Sequence, residues 1–325
     1  MKTLVYSITG VSSGDLQGCN VGEAYNSPVS TAILEVTDTT LDLGDAITIS
    51  LGFGSPTKVF QGYVVNIERS IPSHLIQVTC EDVLTKATNY FIASDDPDNP
   101  IEYSNILSED YVENVLALAE ITNYEADVPG SFTWATDLPA EVNLVTSYQA
   151  ANEMAQMLAW HIHADRDGKV WFNDRRPYIQ GGDSSSFSWD ETAGTDVLRL
   201  SYSKSTEELR NKVVVYGREG VQATASSVSP YLYSPTYYKT AVIAHPLIQT
   251  GSLAQTTADY NLELYNRLTE VLAMEVEGDP DITARAICTV TGSAFSGIGT
   301  SDWFIYSCRH NFGVQGYTVS LNLTK

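Results

Sequence analysis

In a chain of 325 residues, metal or nucleophilic chemistry would fall first to five histidines, four cysteines and the forty acids. One cluster has metal-ligand spacing, His161-x-His163-x-Asp165. On a strand, positions 161 and 163 share a face, so two-point contact with a metal ion is geometrically open. The other histidines, His74, His245 and His310, lie in no second ligand motif. Asp165 also opens the turn Asp165-Arg-Asp-Gly168, which gives it a structural role of its own. No G-x-S-x-G nucleophile elbow and no G-x-x-x-x-G-K-[ST] phosphate loop occurs. Asp95-Asp-Pro-Asp-Asn99 offers oxygen ligands to calcium but lacks the glycine and closing glutamate of an EF-hand, so a solvated loop is expected. Cys19, Cys80, Cys288 and Cys308 form no C-x-x-C pair and read as free, half-buried thiols of a reducing compartment.

The His-x-His-x-Asp run is similar to the first part of the metallo-β-lactamase motif H-x-H-x-D-H. Arg166 stands where that motif has its next histidine. The expectation is therefore no catalytic, cofactor-binding or metal-ligating residue and no cofactor. A cell-wall hydrolase, or a metallohydrolase using His161, His163 and Asp165, is kept as the alternative. A third reading, a carbohydrate-binding module, draws on the 19 tyrosines and five tryptophans. Tyr231, Tyr233, Tyr237 and Tyr238 cluster in one stretch and suit a contact surface.

The elements that must carry these residues are mostly strands. Thr3–Thr9, Ser30–Val36, Ala46–Leu51, Lys58–Ile67 and Leu75–Cys80 alternate apolar and polar residues between turn signals such as Gly44-Asp45 and Gly54-Ser-Pro56. Short strands at this spacing argue for a small antiparallel barrel or sandwich, closed by a short helix at Asp82–Ala87. Ser94–Pro100 is a polar break, after which the period becomes helical. Val112, Val115, Leu116 and Ala119 share one helix face, with Glu109 and Asp110 in its first turn. Thr146 and Gln149 have capping-box spacing ahead of Ala151, Met154, Ala155 and Leu158. Trp160–Ala164 and Lys169–Phe172 read as a hairpin.

Gln180–Ser186 is a second break. Strand patterns return at Val197–Tyr202 and Asn211–Gly217, and three more close the chain at Ala284–Val290, Trp303–Arg309 and Gly316–Leu323. Leu264, Leu268, Val271 and Leu272 predict a helix over about 257–276, ended by Gly278-Asp-Pro280. The fold class expected is mainly β with an α+β insertion. It divides into a first β-barrel domain (1–93), an α+β domain (94–182) and a second, related β-barrel domain (183–325).

With 18 basic residues against 40 acidic ones the net charge is −22, which disfavours binding to nucleic acid through phosphate contacts. No apolar run approaches the roughly 20 residues that span a bilayer, so no membrane insertion is expected. The start, Met1–Ser7, reads as a strand rather than a signal peptide.

Several of these stretches resemble the baseplate hub proteins of contractile phage tails, including the late-control-D type and the hub part of type VI secretion spikes. Leu43-Gly-Asp-Ala-Ile-Thr-Ile49 resembles that family's Gly-Asp step into an alternating strand. Phe60-Gln-Gly-Tyr-Val64 resembles its F-x-G-x-V, and Ile76–Asp82 its next strand and short helix. Asn211–Gly217 resembles an N-x-V-x-V-x-G strand. Ile305–His310 followed by Gly316–Leu323 resembles its closing strands. Gly297–Asp302 stands where the family has Pro-Gly, and residues 221–257 match nothing in it. The resemblance implies a homotrimeric ring, found in the virion tail baseplate and made in the host cytoplasm. The ring would join a sixfold tail tube to a threefold central spike. Tail tube or distal tail proteins, the spike and other baseplate proteins would be its partners, and genomic DNA would pass through without specific binding.

Overall fold

The computed structural model describes residues 3–12, 14–72, 74–94, 101–127, 140–191, 196–229, 232, 234, 236–267, 270–292 and 298–325. The first part runs β1 (Leu4–Ile8), β2 (Leu16–Ala24), β3 (Thr31–Val36), β4 (Ala46–Phe53), β5 (Thr57–Arg69), β6 (Ile76–Glu81) and α1 (Thr85–Asn89). The middle part holds β7 (Phe91–Ile92), β8 (Ile101–Tyr103), α2 (Ser108–Leu118), β9 (Tyr124–Ala126), β10 (Ala140–Val142), β11 (Val145–Thr146), α3 (Ser147–Leu158), β12 (His161–Ala164) and β13 (Val170–Asn173). The last part holds β14 (Phe187–Asp190), β15 (Val197–Lys204), β16 (Lys212–Tyr216), β17 (Gln222–Ser226), β18 (Thr240–Ala244), α4 (Gly251–Arg267), β19 (Glu270–Glu277), β20 (Ile287–Gly292), β21 (Gly299–Gly313) and β22 (Gly316–Thr324).

Twelve strands share one sheet, in the order β1-β4-β5-β6-β3-β2-β21-β22-β19-β15, with β20 on β21 and β14 on β20. The alternation read in the sequence is the burial pattern seen here. Ile47, Ile49 and Leu51 of β4 point inward, as do Ala32, Leu34 and Val36 of β3. They meet Leu272, Met274, Val276, Trp303, Val319 and Leu321 in one core. The ladders are irregular at Leu16/Gly18, Ile49/Ser50, Val64/Asn66 and Ile305/Ser307. Such bulges bend and twist a sheet.

The first and last β units are thus joined edge to edge. The joint is β21, fifteen residues long. Gly299–Phe304 pair with β20, Ser307–Gly313 pair with β2, and β22 runs beside Phe304–Gly313.

A second core forms around α2 and α3, with Val112, Val115 and Leu116 against Ala151, Met154 and Ala155. The capping box at the start of α3 is present: Thr146 Oγ1 accepts from Gln149 N at 3.1 Å, and Gln149 Oε1 accepts from Thr146 N at 2.9 Å. β12 and β13 form the expected hairpin, with β9 parallel to β13.

Two expectations for residues after 183 are corrected. The helix lies at Gly251–Arg267, and Glu270–Glu277 is strand β19. The run Glu270-Val-Leu-Ala-Met-Glu-Val-Glu277 buries alternate residues, Leu272, Met274 and Val276, because β15 and β22 pair on its two sides. Leu268, part of the predicted helix stripe, lies outside the described residues. Asn211–Gly217 supplies β16 of a separate small sheet, β17-β16-β18, and not a strand of the large one. That sheet and α4 pack into the second core through Val213, Val215, Ala225, Ala254 and Ala258. The stretch 205–267 therefore packs with the α+β part rather than with a second barrel. All four cysteines are free and fully buried rather than half-buried. The calcium-like loop 95–99 lies outside the described residues.

Two motif glycines are required sterically. A Cβ on Gly62 would sit 2.1 Å from the Glu81 carbonyl oxygen, and one on Gly217 would sit 2.2 Å from that of Ile248. In both cases the obstacle is backbone, which cannot swing aside. Gly62→Ala is expected to lower stability by about 1–3 kcal/mol, the usual cost of overpacking. A chemical denaturation midpoint equal to that of the wild type would contradict this.

Candidate functional site

Where β21 passes from β20 to β2, the backbone is shared among three segments. Arg285 N donates to Ile305 O (2.8 Å), Ile305 N to Ala286 O (2.9 Å) and Tyr25 N to Tyr306 O (2.8 Å). A polar cluster fills this hand-over. The Arg285 guanidinium lies 3.8 Å from Glu23 Oε2, donates to Ala24 O (3.4 Å), and donates from Nε to His161 Nε2 (3.2 Å). Glu23 also accepts from Ala284 N at 3.3 Å. Arg285 itself sits at φ 73°, in the left-handed region that side chains avoid. Its carbonyl is gripped by Arg175 through Nε (3.1 Å) and a terminal nitrogen (2.9 Å). Burial pushes the Glu23 carboxyl above the usual range, against the pull of Arg285. Burial likewise lowers Arg285, against the pull of Glu23.

The histidines close this cluster. The His161 ring stacks on Tyr25 at 4.0 Å and faces His163 at 5.2 Å. Both imidazoles are held well below the ordinary histidine range, first by burial and then by the Arg285 charge. They are neutral at pH 7. The third member of the motif is not with them. Asp165 Oδ1 accepts from Asp167 N (2.8 Å) and Lys169 N (3.0 Å), and its Oδ2 accepts from Trp171 Nε1 (2.9 Å). Both oxygens are spent on the hairpin. His161 Nε2 is spent on Arg285, and within the motif His163 Nδ1 is enclosed without a partner among the described residues. Among the described residues no group of three His, Cys, Asp or Glu could hold a metal ion.

Arg166 is a clamp between the cores. It reaches from the hairpin turn to Lys58 O (3.3 Å), Pro280 O (2.7 Å) and Ile282 O (3.2 Å). Next to it His310 is wholly buried, bridging Tyr317 OH (2.7 Å) and Ile282 O (3.0 Å). Its Nε2–H donates to the carbonyl, and its Nδ1 accepts from the tyrosine. Asp82, also buried, caps two backbone amides, Ser30 N (2.5 Å) and Leu84 N (2.9 Å).

Sequence reading singled out His161, His163 and Asp165 and missed Arg285, Glu23 and Asp82. The available signal was a lone charge inside an apolar alternation, as in Ile282-Thr-Ala-Arg-Ala-Ile287. Of the clustered tyrosines, Tyr237 and Tyr238 are exposed, and Tyr231 and Tyr233 lie outside the described residues. Beside His161 a cavity of about 450 Å³ opens between α3 and α4.

No protein-family model and no curated protein matches the chain. Solved structures do. A tail protein from Neisseria meningitidis MC58 superposes with a TM-score of 0.76 at 11% identity, over 98% of this chain and 96% of that one. The 43 kDa tail protein of prophage MuSo2 from Shewanella oneidensis gives 0.73 at 11% identity, over 98% and 97%. This is the fold of phage tail proteins. The same fold extends to the E. coli c3393 protein, at a TM-score of 0.63 and 11% identity over 98% of this chain and 76% of that one. That protein is described as a type VI secretion component structurally similar to the T4 tail proteins gp27 and gp5. The tail-protein fold runs over nearly the whole chain, including the small sheet and α4, and agrees with the resemblance read from the closing strands.

Two measurements probe the histidines. Elemental analysis of the purified chain is expected to give near-zero zinc, unchanged in the His161→Ala/His163→Ala double variant. Stoichiometric zinc lost in that variant would revive the metallohydrolase. Stability should also depend on pH through His310, whose burial lowers it from 6.5 to about 4. Between those values the unfolded chain binds a proton that the folded one refuses, so this contribution is full above 6.5 and fades toward 4. Asp82, raised by burial to about 6, works the other way, favouring the fold below 3.8 and losing that as pH rises through 6. In His310→Gln, the loss of stability from pH 6.5 to 4.5 is expected to be shallower than in the wild type, by up to about 1.4 kcal/mol per pH unit. Parallel curves would show that His310 is not titrating in this way.

Proposed function

We propose that this chain is a structural, non-enzymatic hub of a phage tail baseplate. Three copies form a ring that joins the sixfold tail tube to the threefold central spike and lines the path of the DNA. The reading is carried by one observation, the agreement in fold with phage tail proteins over almost the full length of both chains. The type VI component with the same fold supports a spike as partner. Tail tube or distal tail proteins and other baseplate proteins are its further contacts. It is made in the host cytoplasm and resides in the virion tail. In this proposal the units are bounded near residues 93 and 183, with 205–267 returning to pack on the middle one.

The large sheet offers a route to a ring. Its path ends at β1 on one side and β15 on the other, and neither has a second neighbour among the described residues. β15 carries Leu198, 54% exposed, beside the exposed Arg199 and Lys204. Different edges meeting head to tail on identical chains close into a ring when the rotation permits. The charge of −22 suits a conduit, since a wall rich in carboxylates gains no counterion-release energy from passing DNA. The hydrolase alternative finds no support in the motif, whose His161 and Asp165 ligand atoms are engaged elsewhere. No described helix is long and apolar enough to cross a membrane.

Electron microscopy of the tail is expected to show three copies in a ring whose inner wall carries excess Asp and Glu. Leu198→Asp should weaken the ring while leaving the monomer folded. One copy per tail would overturn the hub. A basic inner wall, or a tight shift of duplex DNA at about 0.15 M salt, would overturn the conduit.

A further inference from the structure

The faces that α3 and α4 turn toward the cavity combine polar and aromatic side chains with the apolar Met157 and Leu264. Along α3 the lining residues Tyr148, Asn152 and Gln156 follow at i, i+4 and i+8, which stacks them on one face. Along α4 the lining positions 257, 260, 261, 264 and 265 keep the same helical spacing. The apolar side of α3, with Ala151, Met154 and Ala155, is used in the second core. The Thr257 hydroxyl shares its proton between Leu253 O (2.9 Å) on its own helix and Met157 O (3.1 Å) on α3, beside the opening.

Apart from Glu153, the polar groups around the space are amides, hydroxyls and imidazoles, and several have capacity to spare. The side-chain amides of Asn152 and Gln156 bond no other described residue. Asn261 donates Nδ2 to Thr257 O (2.8 Å) and keeps Oδ1 as an acceptor. His245 Nδ1 accepts from Leu247 N (3.2 Å), which places its proton on Nε2 as a donor. Among the described residues no Lys or Arg lines the cavity, and Glu153 is the one acid that does. The volume of about 450 Å³ falls in the usual ligand-pocket range of roughly 300–1,000 Å³.

We propose that this cavity binds a neutral saccharide. Each sugar hydroxyl is both donor and acceptor, as is each free amide here, and the C–H faces of a pyranose pack on aromatic rings such as Tyr148, Trp160 and Tyr265. An anionic ligand would meet Glu153 and no Lys or Arg among the described lining residues. An organic cation would suit Glu153 and the rings but would leave the amides unpaired once buried, which costs affinity. The proposal needs one chain and no ring, so it stands apart from the hub reading.

The test uses the full chain, with titration calorimetry and saturation-transfer NMR. The probes are maltose, cellobiose and N,N′-diacetylchitobiose, with glucuronate and choline as charged controls. At least one neutral disaccharide is expected to bind saturably, in the millimolar range or tighter. Gln156→Ala should weaken it about tenfold at an unchanged melting temperature. Gln156→Trp, which fills the space, should abolish it. If Gln156→Ala does not fold, Asn152→Ala is read in the same way. The proposal is overturned if none of the three disaccharides saturates. It is overturned equally if glucuronate or choline binds more tightly, or if the variants bind sugar as the wild type does.

Discussion

The continuity of β21 is the constraint on which the rest of the molecule depends. One unbroken strand of fifteen residues serves β20 with its first part and β2 with its second. A ladder that changes partner must leave a gap where one neighbour ends and the next begins. That gap falls at Ile305–Ser307, and Arg285, Glu23, Tyr25 and His161 fill it. A buried ion pair of this kind adds little net stability over a well-packed apolar core, because desolvation consumes the attraction. Its geometry instead fixes where β2 stops and where the chain before β20 must lie. Removing one partner would leave the other charged and buried.

The same logic explains the histidines. Three of the five are held neutral by burial; His161 and His310 use their rings as shaped, hydrogen-bonding plates, and His163 serves as a stacking face for His161. His161 is an acceptor for Arg285 and a stacking surface for Tyr25 and His163. His310 ties β21 to β22 through Tyr317 and to the 279–282 turn through Ile282. Arg166 adds a cationic clamp from the hairpin to β5 at Lys58 and to the turn at Pro280 and Ile282. The two cores are thereby held by directional bonds to backbone carbonyls, which set one relative placement where apolar contact alone would tolerate sliding.

Between α3 and α4 a different solution appears. Helices that pack along their length do so with apolar ridges. Here the second core takes most of the apolar side of each helix, and the remaining faces enclose a space lined by amides and rings together with Met157 and Leu264. The large sheet carries the open edges at β1 and β15, and the helical part carries the cavity. The two features rest on different residues.

Most of the local elements are legible in the order of residues along the chain. Alternation located β3 to β6 and the strands that close the chain, and Thr146 with Gln149 located the start of α3. Asp165–Gly168 located the hairpin turn. These signals are legible because they rest on contacts between near neighbours in the chain. β2 was missed, since Leu16–Ala24 carries two glycines and an asparagine and shows no clean period until β3 and β21 flank it. Val271 and Leu272 fit a helix stripe and a strand equally well, and only the pairing of β19 with β15 and β22 decides for the strand. The tertiary structure alone decided that the two β units share a sheet and that Asn211–Gly217 joins the other core. It alone decided that His161 answers to Arg285, 124 positions away, rather than to Asp165. Each of these depends on partners distant in sequence, and a period along one segment carries no information about which distant surface it will meet.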